Sequence, residues 1–250
     1  MSELKGKTLI LTGASRGIGR ALALELAQSD VNLVLNARDA ALLNEVASDC
    51  RKLGTRAIAL SGNAADSAAA SKLVDAALDL GHLHGFIQIA GVLHPGPFLW
   101  ELSEARFHEV FSANVTASYQ MIRCAVPELL KLGGGLAVFF GSGAAEKSIP
   151  GIAAYCSAKA AEEHMVRQLA VEAPQITAFT YRPGVVETRM QQQARNSTGG
   201  ASPELRQTFW GFKERGELLS PEESAKALVT ILASNPRRFH GGIATWRDGV

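Results

Sequence analysis

The chain has little cysteine, no surplus of either charge, no long apolar run and no cluster of metal-ligating residues. Each absence closes off a class of function. Its cysteines, Cys50, Cys124 and Cys156, are scattered along 250 residues. That excludes a disulfide framework and points to reduced thiols and a cytoplasmic setting. The formal net charge is +1, so no surface is built for nucleic acid or another polyanion. No apolar stretch approaches the roughly 20 residues of a membrane-spanning helix. Met1 to Lys7 leads straight into a strand and leaves no room for a signal peptide. His82 and His84 flank the start of a strand and read as surface residues, so no metal is expected. Repeats, low-complexity tracts and interdomain linkers are also missing. The expectation is one domain over residues 1–250, long enough to bury a sizeable core.

What is present is an alternation of two periods. Short apolar runs recur at 7–12, 31–37, 56–61, 83–90, 136–140 and 176–181, with 243–246 as a candidate last strand. Between them lie stretches of helical spacing: 18–28, 39–53, 66–80, 103–132, 153–171 and 220–233. Asp39, Asp66 and Ser220 stand where helix caps belong. A break is expected near Pro127 in the long helical stretch. Strands separated by helices imply an α/β protein with a doubly wound parallel sheet, helices on both faces. Strands covered on both sides explain the near-continuous apolar runs. One region departs from the pattern: 191–216, an insertion after the sixth strand, placed where substrate lids tend to sit.

Two stretches carry chemistry. Thr12-Gly13-Ala14-Ser15-Arg16-Gly17-Ile18-Gly19 follows a strand and opens a helix. Gly13 permits a tight turn, Gly17 a close backbone approach, and Gly19 close packing of helix on strand. The free N–H groups at the helix start suit a pyrophosphate. The second stretch runs from Ser142 to Lys159. Tyr155 and Lys159 are four apart on a helical segment and share a face. A lysine ammonium beside the phenol is expected to lower its pKa from about 10. That would make it a proton donor or acceptor near neutral pH. Ser142 emerges at the carboxyl end of the fifth strand, within reach of the same substrate oxygen. Taken alone, the Tyr–Lys pair is equally compatible with a helical contact of no consequence. Cys156, next to Tyr155, points off that face and reads as packing.

Together the motifs resemble a classical short-chain dehydrogenase/reductase over nearly the whole chain. The matching pieces are Thr12 to Gly19, Asn114, Ser142, Tyr155 to Lys159, and Arg182 to Thr188 (RPGVVET). The resemblance implies one Rossmann-type domain of about seven strands and an oxidoreductase using a nicotinamide cofactor. It implies a tetrad of Asn114, Ser142, Tyr155 and Lys159: Tyr155 as general acid/base, Ser142 polarising the substrate oxygen, Lys159 lowering the tyrosine pKa, Asn114 anchoring a relay water. Cofactor contacts are implied at Gly13, Ser15, Arg16, Gly17, Ile18 and Gly19, at Asn36 and Arg38, at Asn63 and Ala64, and at Ala90 and Gly91. They continue through Tyr155 and Lys159 to Pro183, Gly184, Val186 and Thr188. Departures occur at Gln88-Ile89, where many members carry two asparagines, and at Asn63, where an aspartate is usual.

A narrower resemblance, carried by residues 183–195 and 216–221, is to the sepiapterin reductase and benzil reductase-like branch. Its pterin-anchoring acid would fall at Trp246, with Asp248 two positions on, so a pterin does not fit. An apolar diketone or aromatic ketone fits better, with Phe98, Trp100, Phe209, Trp210 and Trp246 as candidate walls. The second strand ends Leu35-Asn36-Ala37-Arg38 with no acid to hold a ribose 2′-hydroxyl, and Arg38 and Arg16 suit a 2′-phosphate. The expected activity is NADPH-dependent reduction of a ketone, diketone or aldehyde. A regulatory NADP-binding protein and a non-catalytic assembly subunit are the alternatives, and an intact tetrad speaks against the first. A homodimer or homotetramer is expected, because helices 103–132 and 153–171 are apolar on more than one face.

Overall fold

The computed structural model describes residues 4–250; Met1, Ser2 and Glu3, the start of the lead into the first strand, lie outside the described residues. Seven strands form one parallel sheet: β1 (Thr8–Thr12), β2 (Asn32–Ala37), β3 (Ala57–Ser61), β4 (Leu83–Gln88), β5 (Gly135–Phe140), β6 (Ile176–Arg182) and β7 (Ile243–Thr245). Their order across the sheet is β3-β2-β1-β4-β5-β6-β7. The chain winds outward one way from β1 and the other way from β4. The crevice at their carboxyl ends is the switch point of the topology, where open sheets of this kind bind ligands.

Alternation along the strands sorts the core. Leu9, Leu11, Leu33 and Leu35 face one side and pack against α1 (Gly17–Gln28), α2 (Ala40–Lys52) and α9 (Pro221–Ala233). Ile10, Val34, Phe86 and Phe139 face the other side. They meet α3 (Ser67–Leu80), α5 (Ala117–Lys131) and α6 (Ala153–Glu172). All eight strand residues are fully buried. Each such side chain contributes roughly 1.5–3 kcal/mol relative to exposure. The caps behave as their sequence implies. Asp39 accepts from the Leu42 amide, Asp66 from that of Ala68, and Ser220 and Glu223 form a reciprocal capping box.

The long helical stretch differs from expectation. α5 runs unbroken through Pro127. Ala125, Val126 and Leu129 anchor it to the sheet, so packing offsets the one hydrogen bond the proline forgoes. The irregularity lies earlier, between α4 (Glu104–Phe111) and α5. Residues Ser112–Thr116 form a π-helical turn. Asn114 sits in it, its amide nitrogen donating to the carbonyls of Val110 (2.8 Å) and Val92 (3.0 Å). Such turns frequently mark functional sites. The insertion folds as α7 (Arg189–Arg195) and α8 (Ser202–Glu214). It closes a third apolar cluster with Leu93, Val110, Ile152 and Tyr155.

Candidate active site

The turn after β1 is shaped by its glycines. Gly13 has φ +67°, and a Cβ there would lie 2.8 Å from the Ala90 amide nitrogen. Gly19 abuts the Gly13 carbonyl so closely that a Cβ would overlap its oxygen. Helix α1 therefore starts hard against the switch point. No side chain caps it, which leaves the N–H groups of its first turn available to an anion. Thr12 ties β1 to β4: its hydroxyl donates to Gln88 Oε1 (2.8 Å) and accepts from the amides of Ile89 and Ala90. Gln88, where the resemblance would place an asparagine, thus joins the strand ends.

A cleft of about 930 Å³ opens above these strand ends. At one end it is walled by Gly13, Ser15, Arg16, Gly17, Ile18 and Gly19, with Asn36, Arg38, Asn63, Ala64, Ala90 and Gly91. At the other lie Asn114, Tyr155, Lys159, Pro183 and Thr188. Three sequence-predicted residues stand behind the wall. Gly184, at φ +85°, turns beneath the Trp246 indole, and Val186 is buried and bridged to Leu219. Ser142 lies beside Tyr155, and its hydroxyl favours the ionised form of that phenol. That hydroxyl also accepts from the Ala144 amide (3.1 Å), and the Ser142 amide donates to Glu163. Glu163 is in turn clamped by both ends of the Arg182 guanidinium, at 3.0 and 2.8 Å.

Lys159 is buried and its ammonium lies 5.8 Å from the centre of the Tyr155 ring. It donates to the Phe140 carbonyl (2.7 Å) and to Glu162 (2.6 Å). Tyr155 therefore behaves differently from the expectation of a lowered pKa. Burial raises it above its ordinary value, and the opposing pull of Lys159 does not overcome that. An ionised Glu162 would push the same way as burial, its charge offsetting that of Lys159. Tyr155 is thereby held toward its phenol form.

The arginines at the opposite end are engaged as well. Arg38 reaches Glu109 (3.2 Å), Glu109 also binds His94 (2.6 Å), and Arg16 pairs with Asp39 (3.0 Å). The His94 bond, with help from Arg38, holds the Glu109 carboxyl below the usual range against the opposing effect of burial. Sequence reasoning missed His94 and Glu109. They stand on the loop after β4 and on α4, and only the fold carries them to the cleft mouth.

The substrate end corrects the expected aromatic walls: Phe98, Trp100, Phe209, Trp210 and Trp246 do not line the cleft. Trp100 is 81% exposed and stacks on Phe98. Trp210 sits between Arg195 and Lys213. The wall is instead His94 and Met190 with Gln192, Gln193, Asn196 and Thr198, the last four all polar residues of the insertion. Asp248, exposed, accepts from the amide and hydroxyl of Thr245.

The residues present suit a dinucleotide. The uncapped start of α1 supplies donors for phosphates, and two arginines stand at its flank. The buried Asn114 Oδ1, on the cleft wall, has no partner among the described residues. No group of three His, Cys, Asp or Glu able to hold a metal occurs among them. No helix there is long and apolar enough to cross a membrane.

The short chain dehydrogenase family profile matches residues 7–199. An uncharacterised oxidoreductase of Schizosaccharomyces pombe is 31% identical, covering all of both chains. An NADPH-dependent aldehyde reductase-like chloroplastic protein of Arabidopsis thaliana is 33% identical over 75% of each. Among solved structures, a 7α-hydroxysteroid dehydrogenase complexed with NADH and 7-oxo glycochenodeoxycholic acid superposes with a TM-score of 0.85. It is 28% identical and covers 97% of this chain and 93% of that one. The chain belongs to the short chain dehydrogenase family.

Proposed function

We propose that this member of the short chain dehydrogenase family, an oxidoreductase with a nicotinamide cofactor, is an NADPH-dependent carbonyl reductase. The observation that carries the reading is the meeting of Tyr155, Lys159 and Ser142 at the switch-point cleft, with Tyr155 held as a phenol. When bound, the cofactor supplies the hydride. Tyr155 donates its proton to the developing alkoxide, and Ser142 shares the charge on that oxygen. Lys159 stabilises the phenolate left behind, since an ammonium that close favours the anion. Arg182 and Glu163 fix the loop that carries Ser142. Gly13, Gly17 and Gly19 bring the backbone of the first turn of α1 to the phosphates.

The choice of NADPH rests on Ala37, which can accept no bond from a ribose hydroxyl, and on Arg38 and Arg16. The Arg16 and Arg38 side chains are 43% and 67% exposed, and such ion pairs stabilise by only about 0–1 kcal/mol. A dianionic 2′-phosphate therefore displaces Glu109 and Asp39 at small cost. The branch resemblance to sepiapterin and benzil reductases rests on residues 183–195. The polar wall of the insertion favours ketones and aldehydes bearing further oxygens over aryl diketones. The protein assembles as a homodimer or homotetramer in the cytoplasm, through α5 and α6.

The test is NADPH oxidation against a panel of diketones, hydroxyketones and aldehydes, for wild type and Tyr155→Phe. Loss of a general acid costs two to four orders of magnitude in rate, with NADPH affinity retained. A Tyr155→Phe variant keeping more than about a tenth of the wild-type kcat overturns the assignment. A wild type that binds NADPH but reduces no carbonyl overturns the activity.

A further inference from the structure

Glu162 stands one helical turn beyond Lys159 and shares its burial: the two side chains are 1% and 4% exposed. A carboxyl group so placed makes two contacts. Its Oε2 meets the Lys159 ammonium at 2.6 Å, and its Oε1 meets the Ser118 hydroxyl oxygen at 2.5 Å. The Ser118 oxygen in turn lies 2.7 Å from the backbone carbonyl of Asn114. The chain of contacts thus joins Lys159 to the Asn114 carbonyl through two side chains. Asn114 is the residue at which the family resemblance implies a relay water.

The hydrogens can be counted. A serine hydroxyl has one, and an ionised carboxylate and a carbonyl have none to offer. If Glu162 were a carboxylate, Ser118 could satisfy Glu162 or Asn114, and the other contact would press two oxygens together with no hydrogen between them. If Glu162 is a carboxylic acid, every contact carries one. Glu162 donates to Ser118, Ser118 donates to Asn114, and Lys159 donates to Glu162 Oε2. Burial pushes the Glu162 carboxyl up in the same direction, opposed by Lys159. The other groups near it are Tyr155, the Phe140 carbonyl and Glu163, whose charge is taken up by Arg182.

We propose that Glu162 is a carboxylic acid in the resting protein and serves as the proton reservoir of the catalytic site, with Ser118 as its holder. The inference rests on the carbonyl-reductase reading. Reduction of a carbonyl takes a hydride, which carries both electrons, and one proton. Tyr155 gives that proton to the substrate oxygen and becomes phenolate. The Lys159 ammonium restores the phenol and becomes an amine. A half-turn of the Glu162 carboxyl exchanges its oxygens and sets the O–H against Lys159. The ammonium is then restored and Glu162 is left as carboxylate. One proton from water recharges it before the next turnover. As pH rises and Glu162 ionises, the reservoir empties and kcat falls.

The first measurement is independent of turnover. Infrared difference spectra of the whole protein near neutral pH, in H2O and D2O, compare wild type with Glu162→Gln. The amide keeps the shape and both contacts. We expect a protonated-carboxyl band, shifted by deuteration, in wild type and absent from Glu162→Gln, while Glu163→Gln keeps it. No band lost in Glu162→Gln refutes the protonated acid, whether or not a substrate has been found. The second measurement is kcat against pH. Glu162→Gln should lose about tenfold or more, less than removal of the acid itself costs, together with the alkaline limb. The KM for NADPH should stay within about twofold. A wild-type rate and pH profile in Glu162→Gln refutes the reservoir role even where the band is present.

Discussion

Arg38→Ala tests cofactor choice most directly, because the competing interactions at that side chain are on the page. The guanidinium is two-thirds exposed and lies 3.2 Å from Glu109. A charge-assisted hydrogen bond to phosphate contributes roughly 1.5–3 kcal/mol. Exposure and salt place this one at the lower end, and freeing the arginine from Glu109 subtracts about 0.2–1 kcal/mol. The net is about 0.5–1.3 kcal/mol, so Arg38→Ala should lower the ratio of kcat/KM for NADPH over NADH by roughly two- to tenfold. Almost all of the change should fall on NADPH, since NADH has no group for Arg38 to hold. Glu109→Gln, which releases the arginine without removing it, should move the ratio the other way by about twofold to fivefold. The assay is initial-rate kinetics with both cofactors on one carbonyl substrate at fixed ionic strength. A wild-type ratio near one, or a ratio indifferent to Arg38→Ala, refutes the reasoning.

Other outcomes follow from the same geometry. Cys50 is fully buried and its thiol is pushed up to about 11, chiefly by desolvation, so a thiol reagent at pH 8 should label at most Cys124 and Cys156 until the protein is unfolded. Glu187 is held below the ordinary carboxylate range by its bond to the buried Arg195. The folded state there binds fewer protons than the unfolded one, so the contact stabilises above the usual carboxylate pKa and is lost as pH falls through the folded value. Glu187→Gln should therefore cost roughly 1–3 kcal/mol in urea unfolding at pH 7 and much less in acid; equal costs at both would refute the linkage. Light scattering at micromolar concentration should return a multiple of the 26.5 kDa chain mass, and a monomeric mass would count against the interface assigned to α5 and α6.

The local pattern alone determined the alternation of strands and helices, because strands buried on both faces must be apolar throughout and their helices must show a 3.6-residue stripe. It determined the caps at Asp39, Asp66 and Ser220, which act within one turn of their own position. It also paired Tyr155 with Lys159 and set glycines where no Cβ fits at Gly13 and Gly19. What it could not carry was anything requiring two distant segments to meet. Pro127 reads as a break until the sheet beneath α5 is in place. The tyrosine pKa followed Lys159 in the sequence but follows burial in the fold, since desolvation depends on everything packed around the phenol. The aromatics that suggested a wall turn elsewhere, and the insertion supplies glutamines and asparagine instead. Glu109 on Arg38, and Ser118 against Glu162 forty-four residues on, are contacts between elements that only the winding of the sheet brings together.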